Sequence, residues 1–215
     1  SISQPSDFGS SGGSSYGGSF GGAGGGVLNL TVIGTASING SILANGADVI
    51  STMGSVGGGS GGSILLNVGS LSGTGSISVN GGTKNASGGG GGGGRIALYY
   101  SSYTFTGTLR AFGGNGYHYG GAGTIFQKDK GSLYGSLIVD NNGVSGEASK
   151  GVTGDSYTFL HLFVLNGGHY EIASGQSFNV LDTTWNMNGQ LTLDSGGGLI
   201  VDSLTSISNF TLVNN

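Results

Sequence analysis

The stretch GGSILLNVGSLSGTGSISVNGG, residues 61–82, decides how this chain folds. It opens on a glycine pair and runs through a strand rich in Ile, Leu and Val. It then steps through Gly73-Thr74-Gly75 and closes on Ser76-Ile77-Ser78-Val79 before Asn80-Gly81. The same order of parts occurs three more times. These passages are GGGVLNLTVIGTASINGSILANG (24–46), GGRIALYYSSYTFTGTLRAFGG (93–114) and GAGTIFQKDKGSLYGSLIVDNNG (121–143). One such unit cannot bury its apolar side alone, so it must stack on the next. Gly40, Gly75, Gly107 and Gly135 take equivalent places, at steps of 35, 32 and 28 residues. The strand parts keep their lengths while the glycine tracts absorb the difference. Turns projecting from one side of a coil of strands behave in that way.

Within a unit, Ile77 and Val79 alternate with two serines, a period of two that puts the apolar pair on one face. Ser41–Ala44 and Ser136–Val139 are more continuously apolar, as in strands covered on both faces. Asn45-Gly46, Asn80-Gly81 and Asn142-Gly143 read as tight turns, because both residue types tolerate positive φ. Two glycine tracts, 57–62 (GGGSGG) and 88–94 (GGGGGGG), allow two readings. As surface loops they avoid the entropy of being ordered. As a layer of extended, polyproline-II-like strands they pack closely because nothing projects from them. The expected fold is all-β. It is a right-handed parallel β-helix, or β-solenoid, with glycine-rich loops or a polyglycine layer on one side. Ile42, Ile77, Leu109 and Leu137 should share one column, and Trp185 is the largest piece of the expected core.

Composition narrows the class further. Glycine supplies 51 of 215 residues, and each costs roughly 1 kcal/mol relative to Ala inside a helix. The 35% apolar residues fall at alternating positions, unlike those of a disordered chain. The chain has no cysteine, which excludes a disulfide scaffold and any Cys-based zinc site. No apolar run approaches the ~18–20 residues of a membrane-spanning helix, so membrane insertion is not expected. There is no basic cluster, so nucleic acid is not an expected partner. A polar, near-neutral surface suits an extracellular or cell-surface setting. The chain opens on Ser1 without a signal-peptide pattern, and reads as a processed product or an excised segment.

Four segments follow from these readings. Residues 1–26 are a Gly/Ser-rich lead-in, either a flexible one or a glycine face of the first coil. Residues 27–143 are the glycine-rich repeats, and residues 144–155 a connecting loop. Residues 156–215 carry short strands with plainer turns, read as the same solenoid continued, with a small separate β-sandwich as the alternative.

The tracts GGGSGGSI (57–64), GTGSISVNGG (73–82), GGGGGGGRIALYY (88–100) and GGAGTIF (120–126) carry a family resemblance. In that order they resemble the glycine-rich repeat regions of very large surface or secreted proteins of bacteria and protists. The resemblance covers residues 9–143 and implies an extracellular, structural or adhesive role. It brings no catalytic residue with it.

Residues that could carry chemistry are sparse. Asp182, Asp194 and Asp202 are acids of the type that polysaccharide-cleaving β-helix enzymes cluster on a strand face. No two of them are adjacent or two apart, and no base accompanies them, so an enzyme is not expected. His118, His161 and His169 lack ligand spacing, and no metal or other cofactor is expected. The glycine tracts lack the Gly-Lys-Ser/Thr ending of a phosphate loop. The aromatic group Tyr99, Tyr100, Tyr103, Tyr117 and Tyr119, with His118, is the candidate ligand site, carbohydrate being the ligand class. Asn85, in Asn85-Ala86-Ser87, is the candidate glycosylation site. The expected partners are further copies of the chain or further parts of the same polypeptide. The leading functional expectation is an extracellular structural or adhesive module. A carbohydrate- or receptor-binding tip comes second.

Overall fold

The computed structural model describes residues 1–15, 18–49, 54–84, 87–151, 154–181, 184–186, 188–202, 206–208 and 211–214. Residues 184–186, 206–208 and 211–214 are described by their backbone alone. Asn85 and Asp182, and the side chain of Trp185, therefore lie outside the described residues. Among the described residues the chain is strand and turn, with no helix. The strands are β1 (Val27–Ser37), β2 (Ser41–Leu43), β3 (Ser63–Gly73), β4 (Ser76–Ser78), β5 (Arg95–Tyr100), β6 (Ser102–Phe105), β7 (Thr108–Arg110), β8 (Thr124–Asp129) and β9 (Gly135–Asp140). They continue as β10 (Ser149–Lys150), β11 (Ser156–Leu165), β12 (His169–Ile172), β13 (Ser177–Val180), β14 (Thr184–Asn186), β15 (Gln190–Leu193), β16 (Gly198–Val201), β17 (Ser206–Ser208) and β18 (Thr211–Asn214).

A long sheet runs β1-β3-β5-β8-β9-β11-β13-β16, with β6 also on β3. Smaller sheets run β2-β4-β7 and β10-β12-β15-β18, and β14 pairs with β17. Every pairing between these described strands is parallel except β8 with β9. Among the described residues the long sheet passes through both halves of the chain.

Ile42, Ile77 and Leu109 stand in one column, opposite one another in β2, β4 and β7. Leu137 does not join them. It lies in the long sheet, opposite Phe126 on one side and Leu162 on the other. The cause is a hairpin. The Asp129 carboxylate accepts from the Gly131 N–H at 2.7 Å, the Asp129 carbonyl accepts from Ser132 at 3.0 Å, and Lys128 Nζ donates to Leu133 O at 2.9 Å. These contacts turn the chain straight back, where a parallel pairing would need a long crossover.

The reversal also changes which face of the sheet is enclosed. Ile64, Leu66, Ile96 and Leu98 pack with Ile77 and Val79 on one face. Beyond the hairpin, Leu137, Val139, Phe159, Leu162 and Phe178 pack with Tyr170, Ile172 and Leu191 on the other, joined there by Leu65, Ala97 and Phe126. Ser41–Ala44 is not covered on both faces as its sequence suggests. β2 is an edge strand, and Leu43 is 61% exposed.

The glycine tracts are strands of a second kind. Along 57–62 the N–H groups leave in three directions. Gly57 and Ser60 donate to Gly13 O and Ser10 O at 3.0 and 2.9 Å. Gly58 and Gly61 donate to Gly89 O and Gly92 O, at 3.0 and 2.9 Å. Gly59 and Gly62 donate to Ala47 O and Ala44 O, at 3.1 and 2.8 Å. Three residues per turn is the period of polyproline II. Tract 88–94 continues the layer, with Gly90 and Gly93 bonded to His118 O and Gly121 O, and Gly91 and Gly94 to Gly82 O and Val79 O. Side chains are excluded at the buried positions: a Cβ on Gly59 would lie 1.9 Å from Ala23 O. The lead-in belongs to this layer as well, since Gly22 and Gly25 donate to Gly57 O and Ser60 O.

Asn45-Gly46 and Asn80-Gly81 are not left-handed turns. Positive φ occurs at Asn142 and Gly143 but not at the other two pairs. There the chain passes from sheet to glycine layer without reversing, and the amide side chain replaces a missing rung contact. Asn45 Oδ1 accepts from Asn80 N at 2.7 Å, and Asn80 Oδ1 from Phe112 N at 2.9 Å. The segment 144–155 is more than a connection, because it contains β10 and Glu147 N donates to Tyr119 O at 3.2 Å.

After the hairpin the rungs settle at a step of 21 residues. Ser156 stands opposite Ser177 and Ser177 opposite Gly198, while His169, Gln190 and Thr211 align likewise. A shorter turn leaves no chain for a glycine strand, which is why glycine thins out in this half.

Candidate functional site

The aromatic group of the sequence separates into three places. Tyr99 and Tyr100 are successive residues of β5 and point to opposite faces. Tyr99 packs against the core cluster of the second half, its ring 5.8 Å from that of Phe126. Its hydroxyl donates to Ser3 O at 2.9 Å and accepts from Gln4 Nε2 at 3.2 Å. That holds the N-terminal segment down and makes Tyr99 a packing residue.

Tyr100 lies on the other face with Tyr103, their ring centroids 4.9 Å apart, and Phe105 sits edge-on to Tyr103 at 6.3 Å. Burial raises the pKa of both phenols above the ordinary tyrosine value, with the charge of Asp129 adding to the effect at Tyr100. Both stay neutral at physiological pH.

Tyr117, His118 and Tyr119 form the third place. They sit where one glycine strand ends, fixed by Tyr117 N donating to Gly88 O at 2.9 Å and Gly90 N donating to His118 O at 2.9 Å. The backbone is thus pinned while the rings project: Tyr117 is 72% exposed, and its ring meets His118 edge-on at 5.1 Å. They border a cleft of about 510 Å³ that Glu147, Lys150, His169 and Glu171 also line.

These other lining residues are polar and paired. Lys150 Nζ lies 2.6 Å from Glu171 Oε1, and this contact raises the lysine pKa. His169 Nε2 lies 2.8 Å from Thr192 Oγ1. Burial lowers the His169 pKa, outweighing the nearby carboxylates Glu171 and Glu147 that raise it, so the ring is neutral at pH 7. A cleft lined by projecting tyrosines together with charged groups can hold a polyhydroxylated ligand. Ring faces take its C–H surfaces, and the carboxylates and ammonium its hydroxyls. The sequence pointed to the tyrosines and not to the charged groups.

The other candidates do not converge. Asp194 follows β15 and Asp202 follows β16, strands of different sheets, and Asp194 Oδ1 accepts from Ser195 N at 2.8 Å. His161 lies on β11, its ring stacked on Phe163 at 5.7 Å. Among the described residues no three His, Asp or Glu side chains come together as a metal site. No described helix is long and apolar enough to cross a membrane. Compared with protein-family models, curated proteins and solved structures, the chain finds no match.

Proposed function

We propose that this chain is a structural or adhesive module of an extracellular or cell-surface assembly, a stiff right-handed parallel β-helix that extends by end-to-end pairing. The geometry of the hairpin supports the coil. Reversing strand direction while moving the enclosed side to the opposite face preserves the hand of a winding chain. The two halves can therefore wind with the same hand, each around its own core on one face of the shared sheet, in keeping with the strong preference for right-handed crossovers.

One observation carries the functional reading. Strand β1 is eleven residues long, ends the long sheet, and has no described partner on its outer edge. Its sequence, VLNLTVIGTAS, holds no charge and no proline, the usual devices against edge pairing. Ile33 on it is 97% exposed. At the other end of the same sheet, β16 leaves Ile200 exposed. A head-to-tail contact between two such ends is heterologous, and stacking along the sheet's own axis it grows into a filament where the rotation does not close a ring. The purified chain is expected to form filaments under the electron microscope, and Ile33→Lys to reduce it to discrete particles. Discrete particles from the unmodified chain at every concentration would refute end-to-end growth.

The cleft beside Tyr117 and Tyr119 favours a second reading, a carbohydrate-binding module. Its signature is binding on a glycan array that Tyr117→Ala removes; an array without signal refutes it.

A further inference from the structure

The glycine layer has a filled place next to an empty one. Residues 8–13 lie in a furrow between the strands around 22–25 and 57–62. Gly9 and Gly12 donate to Gly25 O and Gly22 O at 2.9 and 2.8 Å. Gly13 O and Ser10 O accept from Gly57 and Ser60 N, at 3.0 and 2.9 Å. Two carbonyls and two N–H groups of the floor thus hold the segment, and the Ser60 hydroxyl adds a contact by accepting from Ser10 N at 2.6 Å.

The layer then repeats itself. Gly58 and Gly61 donate to Gly89 O and Gly92 O, just as Gly22 and Gly25 donate to Gly57 O and Ser60 O. A second furrow therefore runs between 57–62 and 88–94 and offers the same four groups. The Gly89 and Gly92 N–H groups stand for those of Gly57 and Ser60. The Gly58 and Gly61 carbonyls stand for those of Gly22 and Gly25. Among the described residues none of these four has a hydrogen-bond partner. Open space follows the furrow. A cavity of about 580 Å³ at one end touches Phe8, Ser60, Gly89 and Gly92. Another, of about 350 Å³, at the other end touches Gly13, Gly57, Gly58 and Gly88.

The glycines of this furrow add a second observation. A Cβ on Gly58 would lie 2.0 Å from Gly82 O, and one on Gly61 1.9 Å from Val79 O. The fold requires glycine there. A Cβ on Gly89 or Gly92 would come no closer than 3.9 Å to any described atom beyond its chain neighbours. The fold itself sets no need for glycine at either position. A strand lying in the furrow sets one at Gly89, the counterpart of Gly57, whereas the counterpart of Gly92 is Ser60, whose side chain is accommodated beside the seated segment. At the filled place, a Cβ on Gly57 would already meet Gly13 N at 3.1 Å.

We propose that this furrow is a docking slot for an extended glycine-rich strand of another polypeptide, with glycine at every third residue as at Gly9 and Gly12. The strand would enter in the three-residue-per-turn conformation, which it can adopt with little further ordering. A second copy has no such strand to lend, because its segments 8–13, 22–25, 57–62 and 88–94 are bonded within their own layer. Phe8, 77% exposed, stands at the mouth and offers the entering strand an apolar contact.

The test uses the full chain and a dye-labelled peptide, SDFGSSGGS, the sequence of residues 6–14. Fluorescence anisotropy is expected to show saturable binding. The substitution Gly89→Ala should weaken it about tenfold or more while leaving the thermal unfolding midpoint in place. Alanine at the two peptide positions matching Gly9 and Gly12 should do the same. Absence of saturation overturns the proposal. So does undiminished affinity for the Gly89→Ala variant, which would mean that the peptide merely exchanges with residues 8–13. Dimers of the chain that the peptide dissolves would assign the slot to a second copy, and also overturn the proposal as stated.

Discussion

Gly91→Ala is expected to destabilise the protein by ~3 kcal/mol or more, a large effect for adding one methyl group. The new Cβ would lie 1.9 Å from Gly59 O and 2.5 Å from Gly59 C. Both are backbone atoms, so neither can swing aside as a side chain would. Gly91 is also held on two sides, donating to Gly82 O at 2.9 Å and accepting from Gly114 N at 2.7 Å. Relief of the clash therefore breaks hydrogen bonds between three strands of the layer. Gly89→Ala is the control, two residues away in the same tract. Its Cβ has room, and its effect should stay within about 0.5 kcal/mol of zero, as for ordinary surface substitutions. Urea unfolding of the two variants checks the contrast. Equal midpoints would mean that the layer is not close-packed.

Phe159→Ala is expected to cost about 3–5 kcal/mol, the range for truncating a buried aromatic residue. Phe159 is fully enclosed. Its ring stacks on Tyr157 at 5.7 Å, meets Phe178 edge-on at 5.0 Å and lies 6.3 Å from Phe126. Phe126 belongs to β8, Phe178 to β13, and Phe159 itself to β11. The cavity would therefore open where the two blocks of the sheet join across the hairpin. Phe20→Ala, at an exposed position, should change stability by less than about 0.5 kcal/mol. Thermal unfolding of both variants measures the difference.

Much of the first half was legible in the sequence, for a physical reason. Where strands stack in parallel at a nearly constant step, equivalent residues come to lie opposite one another. Aligning Gly40, Gly75 and Gly107 thus placed Ile42, Ile77 and Leu109 correctly. The fourth unit misled because a glycine followed by alternating apolar residues also describes the return strand of a hairpin. The turn chemistry of Asp129-Lys130-Gly131 was the signal that distinguished them. The 21-residue step of the second half went unread, although three glycines announce it. Gly154, Gly175 and Gly196 are spaced at that step and all adopt positive φ, at 85°, 72° and 84°.

The same step explains the half of the cleft that the sequence did not suggest. Lys150 and Glu171 are 21 residues apart and stand directly opposite on β10 and β12. The period alone pairs them once it is recognised. Grouping Tyr99 with Tyr100 failed for the opposite reason, since neighbours along a strand point to opposite faces. For the glycine tracts, composition could not separate loop from layer. The distinction rests on hydrogen bonds to other strands of the layer, some of them 30 or more residues away, such as Gly58 to Gly89.

Amide hydrogen exchange along residues 88–94 tests the ordered glycine layer most directly. Protection should follow a period of three. Gly90, Gly91, Gly93 and Gly94, whose N–H groups are bonded to neighbouring strands, should exchange slowly, while Gly89 and Gly92 exchange fast. Uniformly fast exchange across the tract would contradict the layer and, with it, the reading of this fold.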